Sequence, residues 1–229
     1  MTDMTSDIAK QVLDASLMHV PFDGWSQTAF DAAVADCDVN PVVARALFPR
    51  GAVDLAVAFH KRGDAQMQSY LAADNLSDMK IREKITHAVR TRLEVCPDRE
   101  IIRRGTSLFS LPQHVPTGAE LIWDTCDAIW TAIGDPSTDF NWYTKRATLS
   151  AVYSSTVLYW LGDESVDNSA TWEFLDRRIE NVMQFEKFKA QARSGPLGKL
   201  MAAPLAALSR VKAPEKRRDF PGQWRGPTT

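Results

Sequence analysis

The chain has 229 residues, 45% of them apolar and 24% charged. That composition can bury a sizeable core without disulfide staples, and it excludes a disordered chain. The formal charge of −2 argues against nucleic acid or an anionic surface as a partner of the chain as a whole. The sum is uneven, however. Residues 1–70 hold five basic side chains against nine aspartates, a net of −4, whereas residues 190–229 hold eight against two acidic ones, a net of +6. A basic block of this kind suggests a tail that visits an anionic surface. Cys37, Cys96 and Cys126 are too sparse for a disulfide framework and read as reduced thiols of a cytosolic or matrix compartment. Met1 to Asp7 lacks a basic region followed by an apolar stretch, so no secretory signal is expected. The longest uncharged run, 147–162, is shorter than the ~18 residues a membrane span needs.

In chain order the pattern predicts helices and no hairpins. The first helix spans Ser6 to His19 and ends at Pro21-Phe22-Asp23-Gly24. A second starts near Ser26, and Asn40-Pro41 opens a short third to Leu47. Pro49 to Leu71 is the fourth, Asp78 to Val95 the fifth, and Pro97 opens a sixth to about Leu108. Thr117-x-x-Glu120 has the form of a capping box for the seventh, which ends near Gly134-Asp135-Pro136. Helices over 138–161 and 169–192 come next, and 197–211 is a last helical stretch. The predicted fold is all-α, with about nine or ten helices. Its organisation is a helix-turn-helix-like unit at 1–73, a helical body at 74–193 and a basic amphipathic tail at 194–229.

The first unit carries a resemblance. Two short helices, a tight turn and a third helix ending in Leu47-Phe48-Pro49 resemble the TetR-type helix-turn-helix over Ile8 to Phe59. That resemblance implies a third helix suited to a major groove and a ligand pocket in the body behind it. The residues themselves argue against reading DNA. Duplex affinity comes largely from cations on phosphates, yet this unit is net −4 and its third helix offers only Arg45. Val42, Val43, Ala44 and Ala46 stand where base-reading side chains would be needed. Nucleic acid is not an expected partner, and the unit reads as an inherited packing element.

The most distinctive run is Asp139-Phe140-Asn141-Trp142-Tyr143-Thr144-Lys145-Arg146-Ala147-Thr148-Leu149-Ser150-Ala151-Val152-Tyr153, followed by Thr171-Trp172-Glu173-Phe174-Leu175. These segments, with the TetR-like head and the amphipathic tail, resemble the coenzyme Q biosynthesis protein nine family. The resemblance implies a TetR-like fold without transcriptional activity, and isoprenoid, quinone or phospholipid bound in its body. It also implies a last helix on the membrane surface, and a di-iron demethoxyubiquinone hydroxylase as the partner to which lipid is presented. It further implies that Trp142 and Tyr143 contact that hydroxylase, with Lys145 and Arg146 beside them. Eukaryotic family members carry a mitochondrial presequence. The expected location is therefore a bacterial cytoplasm, peripheral on the inner membrane, or the matrix side for a processed form.

Residue patterns give partial support. Trp142, Leu149, Tyr153 and Trp160 share one side of their helix, while Ala147, Ala151 and Leu158 share another, so burial on more than one side is expected. Trp123 and Trp130, seven apart, share a face that Tyr153, Val157 and Trp172 can oppose across a bundle, either as an apolar lipid tunnel or as plain core. In the tail, Leu197, Leu200, Met201, Leu205, Leu208 and Val211 form one stripe flanked by Lys199, Arg210 and Lys212, the form of an interfacial membrane helix. Pro204 should kink it. No ExxH pair, GxSxG, GxxxxGK[ST] or GxGxxG occurs, so no enzymatic role, metal or cofactor is expected. The leading reading is a non-enzymatic lipid-presenting protein. A TetR-like ligand-responsive regulator, a protein-binding scaffold and a homodimer stay open.

Overall fold

The computed structural model describes residues 2–194 and 212–214, with side chains over 5–184 and 212–214. Among the described residues there are nine α-helices and no strand: α1 (Thr2–Asp23), α2 (Gln27–Asp36), α3 (Pro41–Leu47), α4 (Ala52–Ala73), α5 (Ile81–Glu94), α6 (Arg99–Phe109), α7 (Val115–Ala132), α8 (Phe140–Leu161) and α9 (Ser169–Ser194). The all-α expectation holds. The predicted tail helix, with Leu197, Lys199, Leu200, Met201, Leu205, Leu208, Arg210 and Val211, lies outside the described residues.

Local chemistry sets the helix boundaries, and it moves several of them from the predicted positions. Helix α1 runs past Pro21 because a proline in the last turn removes one bond and leaves the final residues helical. The stop is Gly24, at φ +68°, whose amide bonds the Val20 carbonyl at 2.9 Å. Helix α4 starts at Ala52 rather than Pro49, after Gly51 at φ +59°, with the Arg50 amide donating to Asp54. Helix α6 starts after Asp98, whose carboxylate accepts from the Glu100 amide at 2.8 Å, and not at Pro97. The Thr117-x-x-Glu120 capping box does not form. Helix α7 begins at Val115, with Pro116 in its first turn where a missing N–H costs nothing, so both residues lie inside the helix. Asp139 caps α8 through the Asn141 amide at 3.0 Å, which accounts for the first and third residues of the distinctive run.

Two apolar clusters share the long helix α4. One joins α1, α2, α3 and the first half of α4 around Val12, Phe30, Phe48 and Leu55, and it also takes Ile101 from α6. The other joins the second half of α4 to α5, α7, α8 and α9 around Met67, Val89, Ile129, Leu149 and Leu175. Helix α6 thus bridges from the body onto α1, where Arg104 donates to the Pro21 carbonyl at 3.0 Å. The loop between α8 and α9 is held from the same helix: Arg103 donates to the Leu161 carbonyl, and Arg99 to the Asp163 carbonyl and to Asn168.

The exposed side of α3 presents Val42 and Val43 beside a single cation, Arg45. Val42 is 77% exposed, Arg45 lies over the Phe30 ring at 4.8 Å, and Arg50 is paired with Asp54.

Candidate functional site

A cavity of about 370 Å³ opens where the two clusters meet. Its apolar walls come from Trp25, Phe59, Ile102, Phe109, Ile122 and Val157. Val115 and Leu158, 48% and 61% exposed, stand at its rim. Two glycines matter for its shape: Gly105 leaves wall space facing Trp25, and Gly118 lets α7 approach Phe109, where a Cβ would meet the ring stem at 2.8 Å.

Polar residues sit at the inner side of this apolar space. Arg92 is buried on α5 and bonds Asp64 of α4 at 2.6 Å through Nε, while its Nη2 donates to the His60 carbonyl at 3.0 Å. Thr125 of α7 donates to the same Asp64 oxygen at 2.9 Å, and His60 Nε2 lies 2.8 Å from the Thr125 hydroxyl oxygen. Gly63 makes room for the guanidinium, since a Cβ there would meet it at 2.8 Å. His60, Arg92 and Tyr153 line the cavity. Burial, aided by the nearby Arg92 charge, lowers the His60 imidazole from the ordinary 6.5 to about 4, so the ring is neutral. Burial also pushes the Tyr153 phenol up to about 12.

Of the five residues predicted to contact lipid, Tyr153 and Val157 line the cavity, and Trp123, Trp130 and Trp172 do not. Trp130 is buried with its indole N–H on the Lys145 carbonyl at 3.2 Å. Trp172 donates to the Asp167 carbonyl at 2.8 Å beneath the Arg90 guanidinium. Sharing a helix face did not suffice, because that face packs on the start of α8, at Trp142, Tyr143 and the Lys145 carbonyl, whereas α7 meets the cavity through Val115, Gly118, Ala119, Leu121 and Ile122.

Trp123 belongs instead to a second feature, at the α7–α8 corner. Its ring lies 5.8 Å from Trp142 and 6.4 Å from Tyr143, which themselves meet edge-on at 4.8 Å. All three are half-buried. Arg146, predicted to touch a partner, is instead 2% exposed. Its guanidinium lies 4.0 Å from the Trp142 ring and bonds Asp127 at 2.6 Å and Asp135 at 3.3 Å, so it props the aromatic group from beneath. Lys145 is also engaged, at 2.6 Å from Asp135 and 2.7 Å from the Ser137 hydroxyl. Burial raises the Asp135 carboxyl, but Lys145 and Ser137 outweigh it and hold the group below its usual range. The second apolar side expected of α8 is open to solvent: Ala147 and Ala151 are exposed, as is Leu158. Lys212, predicted for the membrane helix, is exposed, and its carbonyl accepts from the Tyr143 hydroxyl at 3.3 Å. The Ala213 amide bonds the Thr138 carbonyl at 2.9 Å.

The buried polar cluster was missed in the sequence, although a signal existed. Arg92 follows Ile85 and Val89 on the apolar face of α5, and Asp64 follows Ala56 and Phe59 on that of α4. A charge on an apolar face needs a buried counter-charge.

A COQ9 family model matches residues 115–186, which include the aromatic corner, the cavity side of α8 and the Thr171-Trp172 segment. The chain is 32% identical over 189 residues to the mitochondrial ubiquinone biosynthesis protein COQ9 of Drosophila melanogaster, covering 80% of this chain and 58% of that one. It is 31% identical over 195 residues to the Rattus norvegicus protein of that name, covering 82% and 62%, and 30% identical over 192 residues to the Homo sapiens protein, covering 80% and 60%. The chain belongs to the COQ9 family. It spans about three-fifths of the length of these COQ9 relatives. In fold it is similar to the crystal structure of a TetR transcriptional regulator from Nitrosomonas europaea, with a TM-score of 0.62 over 76% of this chain and 97% of that one, at 20% identity. The TetR-like architecture is therefore present in a COQ9 chain.

Two outcomes test the polar cluster. Arg92→Leu strands a carboxylate beside the cavity and should lower unfolding free energy by about 3–5 kcal/mol in urea titrations, whereas Arg92→Leu with Asp64→Leu should recover much of the loss. His60 binds its proton less readily folded than unfolded, so stability is highest above pH 6.5 and falls as pH drops from 6.5 toward 4. The contribution over that window is about 3 kcal/mol. His60→Asn should flatten the acid side of a plot of urea midpoint against pH; an unchanged slope would contradict the neutral buried ring.

Proposed function

We propose that this COQ9 chain is a non-enzymatic accessory protein of ubiquinone biosynthesis. It binds isoprenoid or quinone lipid in the cavity between α4, α6, α7 and α8, and presents a demethoxyubiquinone-type substrate to a di-iron hydroxylase at the membrane. The observation that carries this reading is the apolar cavity with exposed Val115 and Leu158 at its rim. Its size falls within the ~300–1,000 Å³ of small-molecule sites. The names of the relatives supply the pathway, and the resemblance to the family supplies the partner.

The physical reason for such a protein is the cost of exposing a polyprenyl tail to water, roughly 0.8 kcal/mol per CH₂-sized unit. An enzyme site away from the hydrocarbon layer needs an apolar conduit to it. Among the described residues no helix is long and apolar enough to cross a membrane, so the proposed membrane contact is peripheral, made by the basic tail. The half-buried Trp123, Trp142 and Tyr143 are the proposed hydroxylase contact, since rigid aromatics anchor interfaces. Lys145 and Arg146 serve it indirectly, by holding Asp135 and Trp142. The regulator reading finds no support on α3, whose outer face presents Val42 and Val43 and whose one cation, Arg45, lies over the Phe30 ring, while Arg50 beyond it is paired with Asp54.

Mass spectrometry of the purified protein should find co-purified isoprenoid, quinone or phospholipid. Gly105→Leu should reduce it by filling the wall facing Trp25, without lowering the melting temperature, because leucine is the better helix former by up to about 1 kcal/mol. Absence of any lipid would favour the scaffold. Trp142→Ala with Tyr143→Ala should abolish co-purification with the hydroxylase at unchanged helicity. Alanine is chosen because a new cation there would face the Arg146 guanidinium.

A further inference from the structure

The cavity wall contains a hydrogen-bond donor that no described residue uses. Tyr153 is 4% exposed and lines the cavity. Its hydroxyl has no hydrogen-bond partner among the described residues. It is also not one of the fully enclosed unpartnered side-chain atoms, so it borders the open space. Leu158, at the rim, lies five residues further along α8, about 7.5 Å in rise.

The surroundings of that hydroxyl carry no net charge. Arg92 is paired with Asp64 at 2.6 Å, and His60 is neutral. Burial raises the Cys126 and Cys96 thiols, so both keep their protons, as does the Tyr153 phenol. A carboxylate or phosphate placed here would be a buried charge without a partner. An uncharged carbonyl or ether oxygen would find a donor that otherwise has none.

We propose that Tyr153 is a headgroup-recognition residue, and that the cavity takes an amphiphile ring-first, with an uncharged ring oxygen on the Tyr153 hydroxyl and the tail leaving past Val115 and Leu158. This rests on the lipid-binding reading and adds to it an orientation and a chemical class. At about 370 Å³ the space suits a ring and the start of a tail, so in this proposal the rest of a long chain stays in the hydrocarbon layer against which the rim docks, not in water. The carried ring is then shielded from water until release at the rim.

The test compares two probes of the same shape, trimethyl-pentyl-benzoquinone and trimethyl-pentylbenzene. The first has no ring position open to thiol addition. Affinities are measured by calorimetry on the full chain and on Tyr153→Phe. The full chain should prefer the quinone, and Tyr153→Phe should weaken quinone binding about three- to ten-fold while leaving the hydrocarbon unchanged. Because the hydroxyl has no protein partner among the described residues, the variant should keep its melting temperature. Equal binding of both probes, or an equal loss for both in Tyr153→Phe, overturns the headgroup role while the lipid reading stands. Binding of neither probe by the full chain overturns both.

Discussion

The ion pair between Arg92 and Asp64 is the constraint on which the body of the fold depends. It joins α5 to α4 inside a largely apolar cluster, and Thr125 ties α7 to the same carboxylate. Burying two charges gains little over a well-packed apolar pair. What the pair contributes is placement. A guanidinium on α5 with two fixed partners on α4, the Asp64 carboxylate and the His60 carbonyl, admits one register between the two helices, and Gly63 is the position at which α4 yields space for it. Arg92 and His60, both joined by that bridge, also line the cavity. The same pairing removes the charge that would otherwise attract an anion into it.

A second polar prop works at the other end of α8. Arg146 is as buried as Arg92 and bridges Asp127 of α7 to Asp135 of the connecting loop, with its planar face against Trp142. The aromatic corner is thereby rigid before anything binds to it, and a preorganised surface loses less conformational entropy on association. Lys145 secures Asp135 from the side. The cationic pair of the distinctive run is therefore internal architecture, and the aromatic pair is what reaches the surface.

Much of the fold was legible in the sequence because helix signals are local. Periodic apolar residues, Asn40-Pro41 and Asp139 with its following amide need only neighbours a few positions away. Boundaries failed where two local signals competed: Pro21 against Gly24, or Thr117-x-x-Glu120 against Pro116. Of the cavity, the residue pattern reached only Tyr153 and Val157. Trp123 and Trp130 share a face, but facing is decided by which helix crosses where, and no spacing within α7 encodes the position of α6. Nothing in the sequence marks Ile102, Gly105 and Phe109 as cavity walls, since α6 was predicted as a short helix of no particular role. The polar cluster was the one long-range feature with a local trace, an arginine and an aspartate each placed on an apolar face.

The TetR-like head also has a structural task in this chain. Trp25, in the link between α1 and α2, reaches the cavity wall, packs at 5.6 Å from Phe59 and donates its indole N–H to the Ile101 carbonyl of α6 at 3.3 Å. Arg104 fastens the same helix to Pro21. Without the head, α6 would lose the surface it packs on, and the cavity would lose the wall that α6 and Trp25 make together. The unit is thus part of the container, and its outer face is free of that duty. The inner side of the head makes that wall, while the outer side of α3 presents Val42 and Val43. The net −4 of residues 1–70 is compatible with that packing role.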